Sequence, residues 1–246
     1  IMIWEKNSEP RIFLQSEYAA SDYMLYNDQN DIYVIERRHL ETTQSFEVRL
    51  LKMTIDTKPK VIWNWFKDEW RIGEGGFFML SDNQMIFGAY PEIYSLNNGE
   101  KPHQYFKFNQ PIKRIRAVED NNILILSDNG CYLTDQNGVN LKQWDKLIDH
   151  EVEKPPLNRN QIFDADYQSG KLLLAYWGKR SFELIDETGN QTSIYQQTEP
   201  FTSHWVAFSG EEKLLFSSKL IFDGSSPKPH LILMDSTGNS IVIWAD

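Results

Sequence analysis

Two short apolar segments of the sequence carry charged residues two positions apart. Arg114 and Arg116 form one such pair, and Asp164 and Asp166 form the other. Because successive side chains of a β-strand point to opposite faces, each pair shares one face of its predicted strand. Guanidinium groups beside carboxylates either form ion pairs between neighbouring strands or line a polar site for an anion or a sugar. His204, which opens a third segment of this kind, is a further candidate for such a site.

A repeated hairpin motif indicates which elements position these charges. The pattern Leu-x-Asp-x-x-Gly occurs at residues 133–138, 184–189 and 233–238, and an aromatic residue follows each copy at 144, 195 and 244. Glycine supplies the positive φ that such a turn needs, and aspartate hydrogen-bonds its own backbone two residues on. We therefore expect Gly138, Gly189 and Gly238 to have left-handed backbone conformations.

The hairpins belong to larger repeats. Each repeat begins with a strand, makes a tight polar turn and enters a very apolar second strand, and the repeats start near residues 23, 77, 112, 162 and 205. A repeat of this length matches one four-stranded blade of a β-propeller. Residues 1–6 resemble the fourth-strand segments 61–64 and 241–245. This extra strand either adds to a neighbouring blade or joins residues 12–14 in an incomplete blade.

The predicted fold is therefore all-β, with residues 1–246 forming a single β-propeller domain. We expect five four-stranded blades and an extra N-terminal strand, with six blades as the alternative. An all-β ring of this length is ordinary for one domain, and apolar residues at 41% suffice for its core.

The repeats resemble the WD40-like and quinoprotein-like β-propeller repeats of bacteria at the level of the fold, over nearly the whole chain. The Gly-His and Trp-Asp pairs of WD40 blades are missing, and Trp144 and Trp244 stand six residues beyond their glycines, which is not the quinoprotein spacing. The resemblance therefore does not imply quinone binding. It does imply that the first strand of each blade lines a central channel, which makes Arg114, Arg116 and the Asp164 segment candidates for a channel site.

Patterns for catalysis are weak. The five histidines, at 39, 103, 150, 204 and 230, show no metal-ligand spacing and no accompanying cysteine pair, so we predict no metal and no cofactor. Five-bladed glycosidases place carboxylates on inner strands, and Asp22, Glu74 and Asp164 are the residues that this alternative would use. The prediction leans towards a protein that is not an enzyme.

Charge predicts the kind of partner. A formal net charge of −10 disfavours nucleic acid and anionic membranes, whose recognition needs clustered Lys and Arg, and it favours a basic protein. Two segments depart from the repeat and are candidate partner-binding loops. They are residues 145–160, with Asp149, Glu151 and Glu153, and the hairpin at residues 36–44, with Arg37 and Arg38.

The sequence thus favours a non-enzymatic interaction module with an acidic surface, such as an inhibitor or immunity-type protein that neutralises a basic toxin. The alternative is a propeller that binds a small molecule, or binds or acts on a carbohydrate, at the mouth of the channel. Cys131 is the only cysteine, which favours a reducing cytoplasm or a bacterial exterior that does without disulfides. We expect a cytoplasmic location, although a signal peptide already removed would leave no trace. No apolar segment is long enough to span a bilayer.

Overall fold

The computed structural model describes residues 2–3, 11–12, 21–28, 30–40, 45–65, 72, 75–127, 130–145, 162–176, 181–196, 203–208, 213–218, 230–235 and 239–245. Regular structure in these ranges is β-strand, apart from one turn of 3-10 helix at Glu119–Asn121. The chain divides into two compact units, Ile1–Ala89 with Ile93–Tyr105, and Tyr90–Glu92 with Phe106–Asp246. None of the helical structure described is long or apolar enough to cross a membrane.

The first unit contains a two-stranded ribbon and two four-stranded antiparallel sheets. The ribbon pairs β1 with β2, and Met2 lies opposite Ile12. Each four-stranded sheet joins its strands to their neighbours in sequence: β3 to β6 in sheet 1 and β7 to β10 in sheet 2. The strands are β1 (Met2–Ile3), β2 (Arg11–Ile12), β3 (Ser21–Asp28), β4 (Asp31–Leu40), β5 (Ser45–Met53), β6 (Lys60–Trp65), β7 (Phe77–Ser81), β8 (Gln84–Ala89), β9 (Glu92–Asn97) and β10 (His103–Gln104).

The second unit contains three further four-stranded sheets with the same simple order. Sheet 3 contains β11 to β14, sheet 4 contains β15 to β18, and sheet 5 contains β19 to β22. The strands are β11 (Ile112–Ala117), β12 (Ile123–Ser127), β13 (Gly130–Thr134), β14 (Asn140–Asp145), β15 (Ile162–Gln168), β16 (Lys171–Tyr176), β17 (Ser181–Ile185), β18 (Gln191–Gln196), β19 (Ser203–Phe208), β20 (Lys213–Ser218), β21 (His230–Asp235) and β22 (Ser240–Ala245).

Apolar second and third strands build the core of each unit. In the second unit all of β12 and β13 is buried, as is β16 after its first residue. Such continuous apolar runs are typical of strands that are covered on both faces. In the first unit the core cluster packs aromatic and aliphatic side chains from both sheets, among them Tyr33, Ile35, Leu50, Trp63, Phe77 and Phe87.

The Asp-x-x-Gly hairpins adopt the expected geometry wherever the structure describes them. Gly138 has φ +82° and Gly189 has φ +89°, so the predicted left-handed backbone is confirmed at these two positions. Gly238 lies outside the described residues. In the second of these turns the carboxylate of Asp186 accepts hydrogen bonds from the Thr188 hydroxyl and amide and from the Asn190 amide. These bonds lower the pKa of Asp186 to about 2.

The predicted repeats correspond to the observed sheets. The five predicted starting points, at residues 23, 77, 112, 162 and 205, lie in β3, β7, β11, β15 and β19, the first strands of sheets 1 to 5. The N-terminal strand β1 pairs with β2, which corresponds to the alternative in which the two segments form an incomplete sheet of their own. Whether five sheets close into one ring stays a prediction.

Candidate functional site

Four of the five predicted channel residues come together in the second unit. Arg114 and Arg116 lie on β11, and Asp164 and Asp166 lie on β15. We call these four side chains the Arg–Asp network. The backbone of His204 lies in β19, and its side chain is outside the described part of the structure.

Asp164 is the centre of the network. Its side chain is fully buried, and each carboxylate oxygen has a partner. Oδ1 accepts a hydrogen bond from Arg114 Nη1 at 3.0 Å, and Oδ2 accepts one from Arg116 Nη2 at 3.0 Å. Oδ2 also accepts the backbone N–H of Val206 at 3.0 Å. One carboxylate therefore connects the first strands of sheets 3, 4 and 5.

Asp166 repeats this contact two residues further along β15. Its Oδ2 accepts the backbone N–H of Phe208 at 2.8 Å, and its Oδ1 lies 3.3 Å from Arg116 Nη1. Burial raises the pKa of Asp166, and the Arg116 guanidinium opposes that shift only in part. Asp164 and Asp166 are two residues apart and share one face of β15, and Val206 and Phe208 are likewise two residues apart on β19. Each aspartate therefore accepts one of the two amides.

Two carboxylates, those of Asp164 and Asp166, balance the charge of Arg116. Its Nη1 donates to the Val206 carbonyl at 2.7 Å, in addition to its contacts with the two aspartates. Burial acts to lower the pKa of Arg116, but the carboxylates of Asp164 and Asp166 outweigh it and the pKa is raised. Arg116 therefore remains a cation and serves as a bridge between β15 and β19.

Arg114 is the most exposed member of the network. Its side chain is 35% exposed, whereas that of Arg116 is 28% exposed. Its guanidinium carbon lies 5.8 Å from the centre of the Phe163 ring, over the ring face. Asp164 and Phe163 thus hold Arg114 in one orientation while about a third of its side chain is exposed.

The network has limited capacity for acid–base chemistry. A general acid or base must exchange a proton with a substrate within hydrogen-bonding distance. The Asp164 carboxylate is inaccessible and hydrogen-bonded at both oxygens, and Asp166 is 13% exposed with both oxygens engaged. Asp164 is one of the three carboxylates that the glycosidase alternative would use, and its oxygens are occupied by contacts with neighbouring strands. The Asp22 side chain and Glu74 lie outside the described residues.

Sequence reasoning missed a second polar cluster, in the first unit. Asp82, in the turn between β7 and β8, accepts hydrogen bonds from Tyr33 Oη at 2.8 Å and Lys52 Nζ at 2.7 Å. Lys52 also lies 2.9 Å from Asp31, and the Trp63 indole donates to the Asp82 carbonyl. The Lys52 and Tyr33 hydrogen bonds lower the pKa of Asp82. This cluster joins sheet 1 to sheet 2.

The predicted loop at residues 36–44 needs correction. Arg37 and Arg38 belong to β4, which continues to Leu40 and pairs with β5. Arg37 is 4% exposed, and its Nη2 donates to the Ile72 carbonyl at 3.3 Å. Arg38 is half-buried and forms an ion pair with Glu47, its cross-strand partner. The segment that was expected to be a loop is therefore strand up to Leu40, and both arginines have partners in the structure.

The predicted acidic loop at residues 145–160 begins at Asp145, the last residue of β14. Asp149, Glu151 and Glu153 all lie outside the described residues. Among the residues that are described, no group of three or more His, Cys, Asp or Glu side chains is arranged to hold a metal ion. Cys131 is buried, and burial raises the pKa of its thiol.

Proteins similar to this chain were found among solved structures. No protein-family model and no curated protein sequence matches the chain. A crystal structure of virginiamycin B lyase from Staphylococcus aureus has a TM-score of 0.55 and 10% identity, covering 92% of this chain and 85% of that one. Sqt1 from Saccharomyces cerevisiae has a TM-score of 0.54 and 11% identity, covering 100% and 90%.

A third similar structure contains a bound peptide. It is YCF48 bound to D1 peptide, with a TM-score of 0.54 and 9% identity, covering 96% of this chain and 71% of that chain. Likenesses at such low identity show the fold and not the activity. They show that the chain has an all-β, β-propeller fold, as the repeats predict.

Proposed function

We propose that this chain is a non-enzymatic β-propeller that binds a basic protein partner through an acidic surface. In this proposal residues 1–246 form a single domain, and the five four-stranded sheets are the blades of one ring. An inhibitor or immunity-type protein that neutralises a basic toxin has these properties.

The observation that carries the proposal is the state of the Arg–Asp network. The carboxylates at the expected channel position are occupied by Arg114, Arg116 and the amides of Val206 and Phe208. Groups committed in this way stabilise the packing of strands and have little freedom to transfer protons. The fold also serves enzymes, since one similar structure is a lyase, so the fold alone does not distinguish a binding protein from an enzyme.

The charge of the chain supports a basic partner. The formal net charge is −10, and acidic side chains are exposed at several turns of the described structure: Asp56, Glu100, Glu119, Asp120 and Glu187. A field of one sign accelerates encounter with an oppositely charged protein and repels anionic surfaces. YCF48, a protein of the same fold, binds a peptide, which supports recognition of a polypeptide by such a scaffold.

We assign the partner contact to residues 145–160, because this segment departs from the repeat and carries Asp149, Glu151 and Glu153. Arg37 is left out of the contact, since its side chain on β4 is buried. Arg38 is left out as well, because its charge is paired with Glu47.

The proposal is tested by affinity capture with matched charge variants. The tagged chain is incubated with lysate of the source cell, and proteins retained at about 50 mM and 300 mM salt are identified by mass spectrometry. The test variant carries Asp149→Asn, Glu151→Gln and Glu153→Gln. The control variant carries Asp56→Asn, Glu100→Gln and Glu187→Gln, which remove the same charge from described turns.

We expect one basic protein to be retained by the parent chain and the control variant, and less of it by the test variant. Retention should fall at high salt, because the Debye length shortens and exposed charges are screened. The proposal fails if the test variant and the parent retain the same proteins in the same amounts. Equal melting temperatures of the two variants would show that neither has lost its fold.

A further inference from the structure

Among the described residues, Arg114 has a hydrogen-bond partner at one corner of its guanidinium group. Its Nη1 donates to Asp164, and the Phe163 ring contacts its face. In the described part of the chain, no hydrogen bond from Nε or Nη2 of Arg114 is formed. These two nitrogens share the edge of the guanidinium that carries two parallel N–H groups.

That edge has the geometry that carboxylates bind best. Two parallel N–H donors match the two oxygens of a carboxylate in a bidentate pair, which is stronger and more selective than a single contact. Arg114 is also held in place, since a fully buried carboxylate and an aromatic ring fix its position. An arginine that is already ordered loses less side-chain entropy when a ligand binds.

We propose that Arg114 is a receptor for a carboxylate group, which it binds through its Nε and Nη2 atoms. The side chain is 35% exposed, so a ligand can reach it. This inference is independent of the protein-binding function, because it concerns β11 and β15 and not the acidic segment.

The charge balance of the network favours a monoanion. Arg114 and Arg116 together offset Asp164 and Asp166, and Arg116 is already enclosed by its two carboxylates and the Val206 carbonyl. Within the Arg–Asp network, the Nε and Nη2 edge of Arg114 is the one left for a ligand. A dianion such as phosphate would bring a second negative charge close to the buried Asp164, and the Arg–Asp network offers no second open guanidinium to neutralise it.

The carboxylate has two sources, a small free acid or the C-terminus of a peptide. Both present the same group to Arg114, so the experiment compares them directly. The probes are sodium acetate, N-acetylglycylglycine as its free acid, the amide of that dipeptide, sodium phosphate and sodium chloride, all at pH 7 and matched ionic strength.

The measurement is the NMR resonance of the Arg114 Nε–H group, followed as each probe is added. We expect a saturable shift with acetate and with the dipeptide acid, and none with the amide or with chloride. A dipeptide acid that binds at least tenfold more tightly than acetate would identify a chain terminus as the ligand. Similar affinities of the two would identify a small acid.

The variant Arg114→Lys provides the control for geometry. It keeps the positive charge but lacks the two parallel donors, so we expect it to weaken acetate binding at least fivefold, as judged from backbone amide shifts of β11 and β15. Three results would each overturn the proposal: no saturation by acetate up to about 100 mM, an equal response to chloride, or unchanged affinity in Arg114→Lys. Phosphate binding more tightly than acetate would overturn the choice of a monoanion.

Discussion

The contribution of Asp164 to stability can be worked out from its contacts. Asp164→Ala would remove the acceptor of three hydrogen bonds, two from arginines and one from the backbone of Val206. The Val206 residue is fully buried, so its N–H would lose its partner without gaining water. An unsatisfied buried donor costs about 1–3 kcal/mol.

Loss of the two arginine contacts lowers the free energy of unfolding by less than it would at a fully buried site. Arg114 and Arg116 are 35% and 28% exposed, so water can replace part of what Asp164 provides, and solvent screening reduces each ion pair. Loss of one partner from a fully buried charged pair costs about 3–5 kcal/mol. We therefore expect Asp164→Ala to lower the free energy of unfolding by about 3–4 kcal/mol, between the cost of the amide alone and that upper limit.

The assay is urea-induced unfolding at pH 7, with Asp56→Ala as the control. Asp56 is exposed in the turn between β5 and β6, and its replacement should change stability by less than about 0.5 kcal/mol. If Asp164→Ala unfolds at the same urea concentration as the control, the hydrogen bonds of Asp164 do not join the sheets in the way described.

Further predictions concern the hairpins and the buried thiol. Gly189→Ala should cost about 1–2 kcal/mol in thermal unfolding because of its positive φ, and Gly138→Ala should cost more, since its new Cβ would lie 2.7 Å from the Phe106 ring; equal losses would contradict the described packing of Phe106. Because the pKa of Asp186 is lowered to about 2 by hydrogen bonds, its contribution is present above the unfolded pKa of about 4 and lost as pH falls towards 2. The melting temperature of Asp186→Asn should therefore fall less than that of the parent between pH 4 and pH 2, and parallel curves would refute this role. Cys131 should react with iodoacetamide only after urea unfolding, and rapid alkylation of the native chain would show that the thiol is accessible.

Period-two patterning was sufficient to place the charged pairs. Arg114 and Arg116 share one face of β11 and Asp164 and Asp166 share one face of β15, as alternation requires. The sequence also predicts the observed turns, because glycine at 138 and 189 can adopt the positive φ that these turns need. It could not show that the aspartates bind the amides of a third strand, since that depends on the distance between separate sheets.

The errors have physical causes as well. Arg37 and Arg38 are predicted to lie in a binding loop because the long hairpin at residues 36–44 departs from the repeat. Pairing of Arg38 with Glu47 across β4 and β5, and donation by Arg37 to a backbone carbonyl, make the strand possible.

The contact between Lys52 and Asp82 could not be predicted for a related reason. Asp82 lies in one of the tight polar turns that the sequence predicts after the first strand of each repeat, but its partners Tyr33 and Lys52 come from another sheet. Nothing in the local sequence indicates which distant side chains reach a turn.

The most direct test of the Arg–Asp network is amide hydrogen exchange at Val206 and Phe208. These amides donate to Asp164 and Asp166 at 3.0 Å and 2.8 Å, and both should be protected in the parent chain. Asp164→Ala should accelerate exchange selectively at Val206, and Asp166→Ala at Phe208, each by about 5- to 150-fold for a lost partner worth about 1–3 kcal/mol. If both amides exchange at the parent's rate in both variants, the carboxylates do not join these strands, and the argument that they are unavailable for catalysis falls with them.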